Sequence, residues 1–197
     1  MKVLDFKKDG FINFLNENFQ ELIEVNKKIL VLGIADGGIP VAEIVYQFFK
    51  NKTQNEINLD FIKVQRPSTK QKKANPITEK SLKFVFSILP KFVLDYLRIF
   101  EHKKFSKRSQ SDLEREIKLN SKINFSLYNL ILVVDDAVDS GASMKTVVDF
   151  VKEKTENSVV VKAVSVVLTQ QNPIFLPDYF WLRDVLIRFP WSLDGRK

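Results

Sequence analysis

Cysteine is absent from the 197-residue chain, so neither a disulfide framework nor a thiolate metal site is available, and nothing calls for an oxidising compartment. No run approaches the roughly 18 apolar residues of a membrane span, and the opening stretch "MKVLDFKKDGFINF" lacks the apolar core of a signal peptide. A cytoplasmic protein is the expectation. Histidine occurs once, as His102, between charged neighbours in a basic stretch, where a surface position is expected. No internal repeat is visible.

What the chain does have is 45% hydrophobic residues, 12% of all residues being aromatic, enough for one folded unit over residues 1–197 with a real core. The net charge of +7 is unevenly placed. Residues 66–124 hold 15 Lys and Arg against 6 Asp and Glu, so the rest of the chain is slightly acidic. Such a segment could attract nucleic acid, a membrane surface or a polyanionic small substrate, and charge alone does not choose among them. No aromatic-rich RNA signature or helix-turn-helix spacing favours nucleic acid.

Three apolar runs read as buried strands: "KILVLGI" from Lys28, "NLILVVDD" from Asn129 and "SVVVKAVSVVLTQ" from Ser158. The first two each lead through a glycine-bearing turn into a helical pattern, "PVAEIVYQFFK" and "SMKTVVDFVKEK". This alternation predicts an α/β fold with a Rossmann-like parallel sheet. "INLDFIKV" adds a strand and "FINFLNENFQELIEVN" an N-terminal helix. Residues 66–124 break the rhythm and read as an inserted helical subdomain, its apolar part divided by Pro90. Its stripe of Phe84, Phe86, Phe92, Leu94, Leu97 and Phe100 is expected in the core or at a contact between copies of the chain.

The stretch "ILVVDDAVDSGASM" sets the chemical question. Asp135 and Asp136 fall at the carboxyl end of a strand, where open parallel sheets bind ligands. Asp139 to Ser143 then enter a helix, whose first N–H groups and the Ser140 and Ser143 hydroxyls make an anion cradle that Gly141 lets a ligand approach. Acids beside an anion cradle suit a ribose 5-phosphate, whose hydroxyls donate to the carboxylates while its phosphate accepts from the amides.

This stretch resembles the ribose-phosphate signature of type I phosphoribosyltransferases, the purine-salvage (hypoxanthine, xanthine and guanine) branch in particular. "LGIADGGIPVAEIV" resembles the pyrophosphate loop of that family, and "PDYF" with "IRFPW" its small C-terminal hood and closing strand. The resemblance implies transfer of the phosphoribosyl group of 5-phosphoribosyl 1-diphosphate (PRPP) to a nitrogenous acceptor, purine by family default, with release of pyrophosphate. It implies Mg²⁺ at Asp135 and Asp136, and PRPP contacts from Ala35, Asp36, Gly37, Gly38, Arg66, Asp135, Asp136, Ala137, Asp139, Ser140, Gly141, Ala142 and Ser143. Asp139 matches the acid that handles the base's ring proton, and Asn172, Leu186 and Ile187 fall where the base is contacted. Arg66, Ser68, Thr69 and Lys70 match the mobile lid, and a homo-oligomer is expected. Trp191 is expected to pack.

Three positions depart from the pattern. Asp36 replaces a cation, Asn172 replaces a lysine that contacts the purine's exocyclic oxygen, and Leu186 replaces a stacking aromatic. The ribose-phosphate half is therefore intact and the base half altered. Two alternatives stay open: a non-catalytic PRPP- or nucleotide-binding regulator, and a transferase for an acceptor at a membrane surface.

Overall fold

The computed structural model describes residues 1–25, 28–65, 89–106, 116–119, 123–192 and 194–195. Its elements are β1 (Lys2–Asp5), α1 (Lys8–Asn18), α2 (Gln20–Val25), β2 (Lys28–Ala35), α3 (Gly38–Lys52), β3 (Glu56–Gln65), α4 (Lys91–Ser106), β4 (Glu116–Leu119), β5 (Leu130–Val138), α5 (Ala142–Glu153), β6 (Val160–Leu168), β7 (Tyr179–Arg183) and β8 (Val185–Arg188). Six strands form one sheet in the order β4-β3-β2-β5-β6-β7, and β1 pairs with β8 in a second. Every pairing is parallel except β3 with β4.

The central strands are apolar throughout because helices cover both faces, and the two-residue period of a strand sorts their side chains between two cores. Ile29 and Val31 of β2 join Leu130, Leu132 and Val134 of β5 in the core shared with α1 and α3. Leu30, Leu32 and Ile34 join Ile131 and Val133 in the core under α5, where Met144, Val147, Val148 and Val151 repeat at helical spacing. Since β2 and β5 run side by side in the same direction, their carboxyl ends open on one edge.

Three features differ from the sequence expectation. The N-terminal helix is two helices meeting at Phe19, which is fully buried. The insertion is not helical to its end: β4 returns to the sheet antiparallel to β3, pairing Leu119 with Ile62 and Glu116 with Gln65. An otherwise open sheet edge is the reason, since the alternating "EIKL" can pair there. Finally, "DYFWLR" contributes β7 to the main sheet, leaving the hood to β1, β8 and the residues after them. Asp178 fixes that turn by accepting from the Ala163 N–H at 2.8 Å and from Lys162 Nζ at 2.9 Å.

Within the insertion, α4 starts immediately after Pro90, as that residue requires; "SLKFVFSI", which holds Phe84 and Phe86, lies outside the described residues, as does the lid motif with Arg66, Ser68, Thr69 and Lys70. Leu94 is buried, whereas Phe92 and Phe100 are exposed. One face of α4 is polar, with Lys91, Asp95 and Arg98 directed at the hood. Lys91 Nζ donates to Asp5 at 2.7 Å. Arg98 donates to the Ile187 carbonyl, to Asp194 Oδ1 at 2.6 Å and to Ser192 Oγ at 3.2 Å. Arg188 of β8, buried at 4% exposure, pairs with Asp5 at 2.7 Å, with Asp95, and with Asp194 at 3.5 Å. The insertion is thus riveted to the hood by an ion-pair network rather than by apolar contact alone.

Candidate active site

Asp135 and Asp136 stand on β5 where its apolar run ends, beside the loop that follows β2. Asp135 Oδ1 accepts from the Asp136 N–H at 2.9 Å, and Trp191 Nε1 donates to Asp136 Oδ2 at 3.3 Å. Trp191 also packs, stacked on Phe189 at 4.9 Å and edge-on to Phe6 at 5.4 Å, so the residue expected only to pack also orients an acid. Burial pushes the Asp135 carboxyl well above the ordinary range, and the neighbouring Asp136 adds to it. Burial raises Asp136 as well, against the hydrogen bond from Trp191. Two carboxyl groups held this close favour a bound proton or cation over two bare charges.

The loop after β2 is pressed against this pair. A Cβ on Gly37 would lie 2.5 Å from Asp136 Oδ2, so only glycine lets the loop come so close. The Ala35–Asp36 peptide bond is cis. Asp36 itself points outward, its side chain 86% exposed and 3.7 Å from Lys63 Nζ of β3.

Beyond β5 the chain turns through Gly141, whose φ of 82° is left-handed and whose missing Cβ makes room for the Phe175 carbonyl. The turn is clamped by the Ile174 N–H, which donates to the Ser140 carbonyl at 2.8 Å. Helix α5 starts there, where the Ala142 N–H donates to Ser140 Oγ at 3.4 Å and, as at any helix start, the first N–H groups have no intrahelical acceptor. They open on a pocket of about 80 Å³ lined by Asp135 and by residues 137–144. The turn therefore lies at the sheet edge, with Asp135, Asp139 and the amides in one concavity, while Asp136 faces the loop after β2.

Asp139 lines that pocket and is held by Thr169, whose hydroxyl donates to its Oδ1 from the end of β6. His102 of α4 is not at the surface: its side chain is 16% exposed, and its Nε2 lies 3.8 Å from Asp139 Oδ1. Its neighbours Lys103 and Lys104 disguised it; the available signal was the spacing of Lys91, Asp95, Arg98 and His102, which puts all four on one helical face. Among the expected base contacts, Asn172 is exposed on the loop between β6 and β7, while Leu186 and Ile187 are buried, at 6% and 3% exposure. Ile187 belongs to the core and neither of these two residues lines the pocket. A β-strand between the core and the hood has no side chain to spare for a ligand at those positions.

A family model for the phosphoribosyl transferase domain matches residues 8–192. The chain belongs to the phosphoribosyltransferase family. The purine phosphoribosyltransferase of Pyrococcus horikoshii Ot3 superposes with a TM-score of 0.60 at 17% identity, covering 98% of this chain and 95% of its own. A hypoxanthine phosphoribosyltransferase from Staphylococcus aureus gives 0.53 at 14% identity, over 90% of this chain and 74% of its own. The Trypanosoma cruzi hypoxanthine enzyme, a lysine-to-arginine mutant in a ternary substrates complex, gives 0.54 at 11% identity, over 90% and 79%. No curated protein sequence matches the chain. At these identities the neighbours establish the fold, a mostly parallel α/β sheet, and the family match establishes that residues 8–192 form a phosphoribosyl transferase domain.

Proposed function

We propose that the protein moves the phosphoribosyl group of PRPP to a purine-like base with release of pyrophosphate, using Asp135 and Asp136 for the ribose hydroxyls and the turn from Asp139 to Ser143 for the 5-phosphate. The observation that carries this reading is Asp135 and the left-handed Gly141 turn sharing one pocket at the end of β5, with Asp136 next along the strand beside the loop after β2. Amides of the loop from Ala35 to Gly38 face the diphosphate. An oxocarbenium-like ribose asks little covalent chemistry of a protein, so positioning and electrostatics supply the acceleration.

Mg²⁺ fits the acid pair, whose charge burial leaves uncompensated. Mg²⁺ keeps waters and shares its shell with substrate oxygens, so it needs only one or two carboxylates from a protein. Held by Asp135 and Asp136, it would neutralise charge on the departing diphosphate.

Asp36 favours some weakening of this function, since an exposed carboxylate stands where the diphosphate would arrive. Asp36→Lys is expected to lower KM for PRPP about tenfold, the scale of one favourable charge contact of about 1.4 kcal/mol, measured by initial rates. The decisive assay of the reading itself is pyrophosphate release from PRPP and Mg²⁺ across a panel of purines and pyrimidines. No release with any base sinks it.

Gly141→Ala tests the phosphate cradle. Its new Cβ would sit 2.5 Å from the Phe175 carbonyl at a φ of 82°, so a stability loss of about 1–3 kcal/mol is expected, together with weakened PRPP binding by calorimetry. Unchanged affinity would remove the turn from the site.

A further inference from the structure

With the Leu186 and Ile187 side chains buried, the acceptor side of the site is open to side chains from the insertion. Helix α4 presents Lys91, Asp95 and Arg98 to the hood, and one turn beyond Arg98 the same face delivers His102 to Asp139. His102 Nε2 is buried and has no hydrogen-bond partner among the described residues. A buried ring nitrogen without a partner carries a desolvation cost that a native fold tolerates where a ligand supplies the partner. The gap of 3.8 Å between Nε2 and Asp139 Oδ1 is too long for a direct hydrogen bond. It does let both atoms reach one polar atom placed between them, about 2.8 Å from each.

Resting on the transferase reading above, we propose that His102 is a second proton-handling catalytic residue, contributed by the insertion, and that it works on the ring N–H of the acceptor base with Asp139 as its counter-ion. As the acceptor nitrogen bonds to C1′, the C1′–O bond to the diphosphate breaks and its electron pair leaves with pyrophosphate. The ring proton passes to His102 Nε2, which requires the neutral imidazole to carry its own proton on Nδ1. The imidazolium so formed faces the Asp139 carboxylate, whose Oδ1 is held in place by the Thr169 hydroxyl. The proton returns to water when the nucleotide leaves. The helix that carries His102 is anchored at Arg98 and Asp95, so the base-side chemistry arrives with the insertion rather than from the sheet.

The experiment compares the full-length wild type, His102→Gln and His102→Ala with PRPP, Mg²⁺ and the best base of the panel, with and without added imidazole. Glutamine keeps a hydrogen-bonding side chain but cannot take up the proton. Both variants are expected to lose roughly 10²-fold in kcat while KM for PRPP stays within about threefold, and imidazole is expected to restore His102→Ala but not His102→Gln. If His102→Gln keeps kcat within about threefold of wild type, or if imidazole restores nothing to a folded His102→Ala, the proton-handling role is overturned. Should His102→Ala fail to fold, the kcat of His102→Gln decides alone by the same threefold criterion. A wild type that releases no pyrophosphate with any base overturns the transferase reading and this inference together. An active wild type with an unaffected His102→Gln overturns only the latter.

Discussion

Replacing Asp135 and Asp136 together by asparagine is expected to yield a protein that melts several degrees higher and releases pyrophosphate at least about 10³-fold more slowly. The two effects share one cause. Burial raises both carboxyl groups above their unfolded value of 3.8, and repulsion from Asp136 lifts Asp135 further, so the folded state binds protons more tightly than the unfolded one. Their strain on the fold is therefore largest at neutral pH and relaxes as pH falls through the raised folded values towards the unfolded one. Asparagine removes the charge while keeping an acceptor for the Asp136 N–H and for Trp191 Nε1. Calorimetric melting at pH 7 checks the first half and pyrophosphate release the second. A variant less stable than wild type at pH 7 would show that the acids are fully compensated by the protein, and undiminished turnover would remove them from the chemistry.

Arg188→Met is expected to destabilise the protein by about 3–5 kcal/mol, roughly a 10 °C fall in melting temperature. The arginine is buried beneath the hood and meets Asp5, Asp95 and Asp194; Lys91 and Arg98 still reach Asp5 and Asp194 without it, so its removal falls mainly on Asp95 and on the buried junction the arginine fills. The network also has a pH signature. A hydrogen bond from Lys91 lowers Asp5 against the opposing effect of burial, and the Arg188 hydrogen bond adds to it. Burial opposes ionisation of Asp194, but the charge of Arg98 and hydrogen bonds from Ser192 and Arg98 outweigh it and leave that carboxyl low. Acids lowered in the folded state contribute stability that is fully present above their unfolded value and is lost as pH falls through the folded one. Of these two acids only Asp5 owes part of its lowering to Arg188, so the wild type should lose part of its advantage over Arg188→Met as pH falls below about 4, near the reference value of 3.8. Urea melts at pH 7 and pH 3 measure this; a difference that stays constant would mean the arginine acts through packing alone.

The strands that anchor the site were legible because each is buried on both faces, which makes an unbroken run such as Leu130–Val134 stand out. The acids, Gly141 and the start of α5 could be read from sequence because local geometry alone brings them together within nine residues. What stayed hidden depends on partners far along the chain. Strand β1 has four residues and no apolar period, and its identity as a strand comes from β8, with Lys2 opposite Val185. Strand β4 exists because β3 offers an edge. His102 read as a surface residue because its neighbours are lysines, yet its place is decided by charges on the hood that its own helix meets three turns earlier. Leu186 and Ile187 were assigned to the base from an aligned pattern, while burial between two layers claims them for the core.

The pairing of the second residue with one near position 185 has an effect on synthesis. The central sheet can assemble from segments already outside the ribosome, but the first strand must wait until residues 185–188 have been made before it finds its neighbour. Trp191, which steadies one of the two acids, arrives later still. A nascent chain halted short of that segment would hold most of the central sheet while Asp136 still lacked its tryptophan neighbour.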